Sequence, residues 1–258
     1  MPALNPPLSR QLLFGAWFVA GSVLGLWLLL KPAQLAALGG LPGVDLFVYR
    51  LAGAATLAYP IGAIIGFRLP LAEVRIAIVA VVAWNVATIL ACVLSPARSE
   101  TYCLTLILVA DSLLFLLWSG WVLRCASPSA DGPAIAPWLV GLLSIGTVAD
   151  IAFALAPLVA GGDFGRLLGY SGADDLMYRL AGATTAGLVV AGLLALRSRR
   201  WAEVRIPVLM LLAFSAFSVV AALFEVLAGA AQPVTWLILV AGGFVAVGMS
   251  AALVRRGG

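Results

Sequence analysis

The sequence predicts an all-α membrane bundle: eight transmembrane helices arranged as a tandem parallel repeat of two four-helix units. Three observations predict it. Hydrophobic residues make up 64% of the 258 and charged residues only 10%, against about 25% charged in a soluble domain. Eight stretches are long and apolar enough to span a bilayer, which takes about 20 residues each. The string YRLAGA stands at 49–54 and again at 178–183.

The predicted spans are 11–30, 46–66, 76–94, 102–123, 138–160, 176–196, 206–228 and 233–254. The first could be mistaken for a signal peptide, since the small residues of LAALGG follow at 35–40. Its apolar stretch exceeds the roughly 7–15 residues of a signal h-region, and it has a counterpart in the second half. It is therefore read as a helix of the mature fold.

The second and sixth spans carry the repeated string, and the match extends both ways. Asp45 precedes Tyr49 by four residues, as Asp174 precedes Tyr178. Downstream, LAEVRI at 71–76 faces WAEVRI at 201–206; upstream, Gly21 and Pro32 pair with Gly146 and Pro157. The units are residues 1–127 and 128–258, joined by the Pro- and Gly-rich linker SPSADGPAIAP at 127–137. Four spans per unit is an even number, so both units enter from the same side and an axis along the membrane normal relates them.

Basic residues set the orientation. Arg10, Arg68, Arg75, Arg124, Arg197, Arg199, Arg200, Arg205, Arg255 and Arg256 fall on one side, and Lys31, Arg50, Arg98, Arg166 and Arg179 on the other. Both termini are thus expected in the cytoplasm, with the inner (plasma) membrane as the location. The net charge of +4 is mostly this bias. The basic residues form no face interleaved with aromatics, so nucleic acid is not an expected partner. The stretch RSRRWAEVR at 197–205 suits anionic lipid head groups; membrane lipids, further copies of the chain or other membrane subunits are the expected partners.

Two readings of YRLAGA stand side by side. In one, Arg50 and Arg179 snorkel to the head groups, Tyr49 and Tyr178 sit in the aromatic belt, Asp45 and Asp174 favour the positive dipole end of their helices, and LAGA is a packing face. In the other, Asp45, Tyr49, Arg50, Asp174, Tyr178 and Arg179 line a symmetric outer vestibule that contacts a ligand. The GxxxG pairs Gly21–Gly25 and Gly62–Gly66 permit close packing within the chain or between chains.

The polar residues at mid-depth form a second candidate site. At about 1.5 Å per residue, Thr56 and Asn85 lie about 15 Å from the basic ends of adjacent helices, with Thr185 and Ser215 as their counterparts. Thr88 and Ser218 lie one turn on, and interhelical hydrogen bonding is the structural reading of such a set. Asp111 and Asp150 lie near the midplane, where a charged Asp costs about 2.5–3.5 kcal/mol. No Lys or Arg sits at that depth, so each must be protonated, hydrogen-bonded, paired through a shared proton, or facing water or a cation. Ser144, Thr147 and Asp150 fall at i+3 spacing on one helix. Neither acid is duplicated: Asp150 faces Gly25 and Asp111 an apolar stretch near Val240.

Several chemistries are not expected. Histidine is absent and Lys31 is the sole lysine, which removes imidazole shuttling and a mid-membrane Schiff base. Cys92, Cys103 and Cys125 lack metal-ligand spacing; Cys92 and Cys103 flank an outer loop on the side where an oxidising compartment allows a disulfide, with two separate buried thiols expected and a Cys92–Cys103 bridge the alternative. GGDFGRLLGYSG at 161–172 lacks the order of a nucleotide-binding fingerprint. Catalytic residues, cofactors and metals are therefore not expected, and neither is enzyme activity. Transport or binding of a small solute or lipophilic molecule at the mid-membrane polar residues is the expected function. The alternative is a non-catalytic accessory or assembly subunit.

Overall fold

In the computed structural model, residues 6–95, 101–124 and 132–257 are described. Ten helices follow in order: α1 Pro6–Leu30, α2 Pro32–Leu38, α3 Leu46–Gly66, α4 Leu71–Leu94, α5 Tyr102–Arg124, α6 Pro137–Ala160, α7 Gly162–Leu167, α8 Asp175–Ser198, α9 Trp201–Leu227 and α10 Pro233–Gly257. Eight are long and apolar enough to cross a membrane. In lipid every backbone polar group must be satisfied internally, which is why chains this apolar resolve into helices. The short α2 and α7 were not foreseen; each tucks a loop back along the same end of the bundle, α2 beginning at Pro32 in the first turn, where its missing N–H costs nothing.

The helices pack in matched pairs. α1 runs along α3, and α6 along α8; α4 lies on α8, and α9 on α3; α5 covers α4, and α10 covers α9. α3 meets α8, and α4 meets α9, at the centre. So α4 and α9 each pack mainly on the opposite half of the chain.

Small residues set the approach distances. A Cβ on Gly53, within the first LAGA, would come within 2.7 Å of the Gly25 carbonyl oxygen, and one on Gly182, within the second, within 2.5 Å of that of Ala154. Gly62 faces Met210 and Ile206, while Gly66 faces Phe14 and Val74. The glycine pairs thus serve packing inside the chain. Pro60, inside α3, sits where a Cβ on Gly21 would be 3.0 Å from its Cδ, so α1 closes on the ring.

The arginine-rich end is tied by a short bridge. Ile135 N donates to Arg199 O (2.8 Å) and Trp201 N to Pro133 O (2.9 Å), joining the end of the linker to the α8–α9 turn, where Arg199 takes the left-handed conformation (φ 53°). Residues 127–131 of the expected linker, together with Arg98 and Cys125, lie outside the described residues. The largest core, including Phe14, Ile78, Leu143, Leu188, Ile206 and Met249, lies toward this end between the two halves.

Candidate functional site

The expected outer vestibule is an internal lock. The Asp174 carboxylate, fully buried, accepts from Gly43 N (2.8 Å), Val44 N (2.9 Å), Asp45 N (2.7 Å) and the Tyr49 hydroxyl (2.6 Å). Asp45 answers it, accepting from Ser171 N (3.0 Å), Gly172 N (2.8 Å) and the Tyr178 hydroxyl (3.2 Å). Each Asp stands at the N-cap of its own helix but makes no side-chain cap bond there; it holds the loop of the opposite half. Gly43 (φ 64°) and Gly172 (φ 70°) adopt the left-handed backbone that turns those amides toward the carboxylates. The tyrosines are buried, so they are not interfacial anchors.

The arginines diverge. Arg50 pairs with Glu225 on α9 through Nη1 (2.5 Å), with only 16% and 7% of the two side chains exposed, and its guanidinium lies 5.3 Å from the Phe224 ring centroid. Arg179 bonds Asp175 (2.9 Å) and donates to the carbonyls of Leu158 and Val159 (2.9 and 2.7 Å), the favourable place for a cation at a helix C-terminus. Neither reaches out to head groups.

The mid-depth hydroxyls and amide turn back on their own helices. Thr56 donates to Ala52 O (2.8 Å), Asn85 to Val81 O (2.8 Å), Thr88 to Trp84 O (3.0 Å) and Thr185 to Ala181 O (2.9 Å). This i−4 bonding is the local alternative open to Ser, Thr and Asn, and it replaces the interhelical bonds expected of Thr56, Asn85, Thr88 and Thr185. Thr147 is buried against α8, where a Cβ on Gly192 would meet its Oγ1, and that Oγ1 has no hydrogen-bond partner.

Asp150 is different. It lines a cavity of about 280 Å³ bounded by α3, α6, α7, α8, α9 and α10, with Leu168 and Tyr170 in the α7–α8 loop. Thr185, Ser215 and Ser218 line it too; Thr56, Asn85 and Thr147 do not. Among the described residues the rest of the wall is apolar apart from the phenols of Tyr170 and Tyr178, the latter shared with the lock; Phe47, Phe153, Phe164, Phe214 and Phe244 are its phenylalanines, and no Lys or Arg lines it. Asp150 is only 8% exposed, and its Oδ2 and the Ser218 Oγ lack hydrogen-bond partners among the described residues. Ile145 on α6 and Leu237 and Phe244 on α10 form the rim, more than half exposed, so the cavity opens between α6 and α10 on the lateral, lipid-facing surface. A Cβ on Gly146, in the wall, would meet nothing within 4 Å.

Asp111 is not part of this cavity. It sits on an exposed face of α5, which packs on α4 and α1, so the two midplane acids that the sequence suggests as one site are held apart. Cys92 and Cys103 are both free; Cys92 is buried, but Cys103 is exposed rather than buried. The signal that marks the lock, and that sequence reasoning missed, is the spacing G-x-x-G-x-D at 40–45 and 169–174. Tyr170 was also missed. Its hydroxyl shares a 3.2 Å hydrogen bond with Thr235 Oγ1, its ring stacks on Phe47 at 5.6 Å, and burial, opposed by the Thr235 bond and aided by Glu225 and Asp45, pushes its phenol up to about 12.

No protein-family model matches the chain, and neither a curated protein nor a solved structure does. The fold defines an integral, multi-pass membrane protein.

Proposed function

We propose that this protein binds a small lipophilic molecule in the α6–α10 cavity, either to hold it or to pass it across the membrane, and that it is not an enzyme. One observation carries the reading: an apolar cavity that opens toward lipid holds a buried carboxylate oxygen and a serine hydroxyl without partners. Buried polar atoms are ordinarily satisfied, and a largely apolar pocket with few convergent polar groups is the usual form of a small-molecule site, at about 300–1,000 Å³. The volume here falls just below that range.

The chain is read as a tandem duplication, units 1–127 and 128–258, about an axis along the membrane normal, with both termini in the cytoplasm and the inner membrane as its location. The reciprocal contacts of Asp45 and Asp174 and the matched helix pairing support the duplication. The arginine-rich end supports the orientation. Most of the cavity wall comes from the second unit, with Phe47, Val48 and Leu51 supplied by the first, and Asp150 has no counterpart, so its carboxylate was gained in one copy or lost from the other after duplication.

Native mass spectrometry of the purified protein tests the binding. Wild type is expected to carry a small-molecule adduct that Gly146→Phe, which grows a ring into the open space, abolishes. An adduct unchanged by Gly146→Phe overturns the reading.

A further inference from the structure

We propose that the ligand of this cavity is a lipophilic amine, whose protonated nitrogen pairs with the Asp150 carboxylate while its hydrocarbon portion fills the aromatic wall. The proposal rests on the reading that the cavity binds a lipophilic molecule. It adds the charge of that molecule and the residue that recognises it.

The charge follows from what the wall contains and what it lacks. Among the described residues, Asp150 is the one carboxylate that lines the cavity, and no Lys or Arg is there to neutralise it. An ionised carboxylate in so apolar a setting is poorly tolerated without a counter-ion. An anionic head group, phosphate or carboxylate, would meet Asp150 with like charge and find no cation. A neutral alcohol can donate to Asp150 but brings no positive charge, whereas an amine can take the carboxyl proton and stay paired with the carboxylate it leaves.

A bare metal ion fits no better. Hard cations take about six or more oxygens, whereas among the described residues Asp150, Thr185, Ser215 and Ser218 supply the only non-phenolic side-chain oxygens that line the cavity. An ammonium asks for less: two or three acceptors and an apolar space for its chain. Asp150 Oδ2 and Ser218 Oγ are both buried, both without partners, and both in residues that line this cavity. An amine that keeps its N–H groups can satisfy both atoms, which a quaternary nitrogen cannot. Phe47, Phe153, Phe164 and Phe214 suit the same guest, because aromatic rings attract cations.

The route in suits it as well. The rim residues Ile145, Leu237 and Phe244 are apolar and exposed on the lateral surface, so an amphiphilic amine dissolved in the bilayer reaches Asp150 without crossing the locked end of the bundle.

The test uses radiolabelled decylamine, decanol and decanoate: one chain length, three charges. Each is titrated against the full-length protein in lipid nanodiscs, with empty discs subtracting partition into lipid. Decylamine is expected to bind wild type saturably and at least tenfold more tightly than decanol, with decanoate weakest. In Asp150→Asn, which keeps the side chain's shape, the preference for amine over alcohol should vanish, and Gly146→Phe should lose both ligands. The wild-type comparison alone decides the charge should a variant fail to fold. Decanol or decanoate binding as tightly as decylamine, and blocked by Gly146→Phe, overturns the amine while leaving the binding function standing. A preference for amine that survives in Asp150→Asn overturns the role of Asp150. Saturable binding of none of the three overturns the amine and the lipophilic-ligand reading together.

Discussion

Asp174 and Asp150 are both buried acids in the same half of the chain, yet their surroundings are opposite. Asp174 receives three backbone amides and a tyrosine hydroxyl, whereas Asp150 leaves one oxygen without a partner at the wall of a cavity. Hydrogen bonds to a charged group contribute about 1.5–3 kcal/mol each, and a buried group left without partners costs a comparable amount. A saturated carboxylate therefore holds the fold together, whereas an unsaturated one has hydrogen-bonding capacity that the fold does not use. The acids that precede the two YRLAGA strings are the saturated ones; Asp150, outside those strings, is the one left open.

The comparison breaks first at the lock. Asp174→Ala orphans three amides and a phenol in a buried loop, and removing one partner of a buried charged network costs about 3–5 kcal/mol. Asp45→Ala orphans two amides and a phenol, so it should cost somewhat less. Thermal unfolding in detergent should rank Asp174→Ala as the most damaging of the single carboxylate substitutions. A loss of 1 kcal/mol or less, on the scale of an ordinary point substitution, would mean that the lock does not hold the halves together.

Glu225 lies next in size. Its bond to Arg50 is nearly enclosed by protein, and Glu225→Ala, which strands the guanidinium, should cost about 2 kcal/mol. The double replacement Arg50→Met with Glu225→Leu should recover most of that loss, since exchanging a buried pair for apolar residues is often neutral. If the double variant is as unstable as the single one, packing of the arginine stem over Phe224 is the stronger contribution.

Asp150→Asn should barely move the melting temperature, within about 1 kcal/mol, because no protein donor to Oδ2 is lost and the amide occupies the same volume. This is the sharpest contrast with Asp174. A loss as large as that of Asp174→Ala would show Asp150 to be a structural acid and erase the difference between the two sites.

Position along each helix was legible in the sequence and direction was not. The residue count places Asp111 and Asp150 well inside α5 and α6, away from their ends, and those helices run as the apolar stretches predict. Which face of α5 carries Asp111 depends on how α5 rotates against α4 and α1, and an all-round apolar helix has no stripe to reveal it. The same limit hid the lock. YRLAGA and its preceding Asp were visible as a repeat, and the small residues of LAGA correctly implied close helix approach. That each Asp serves the opposite loop is a long-range pairing across some 130 residues, which no local periodicity encodes. The expected interhelical bonds from Thr56, Asn85 and Thr185 failed for a related reason: a hydroxyl or amide on a helix always has its own i−4 carbonyl within reach.

Tyr170 joins the two regions and gives the smallest expected effect. The amides after it, Ser171 and Gly172, donate to Asp45, while its ring stacks on Phe47 in the cavity wall. With its folded phenol pushed up to about 12 from an ordinary 10, the neutral form is the one the fold favours. Its contribution is therefore complete below pH 10, falls as pH rises from 10 toward 12, and is fully lost above that. The melting temperature of wild type should drop more steeply over that interval than that of Tyr170→Phe, which cannot ionise there but gives up the Thr235 bond. Below pH 10 the variant should be slightly the less stable, by about 1 kcal/mol for one neutral hydrogen bond, and the gap should narrow as the wild-type phenol ionises. Glu225→Gln removes one of the charges that hold the phenol up, so in that background the wild-type drop should begin at lower stability but extend less far in pH. Parallel melting curves for wild type and Tyr170→Phe from pH 9 to pH 12 would show that ionisation at this position does not couple the lock to the cavity.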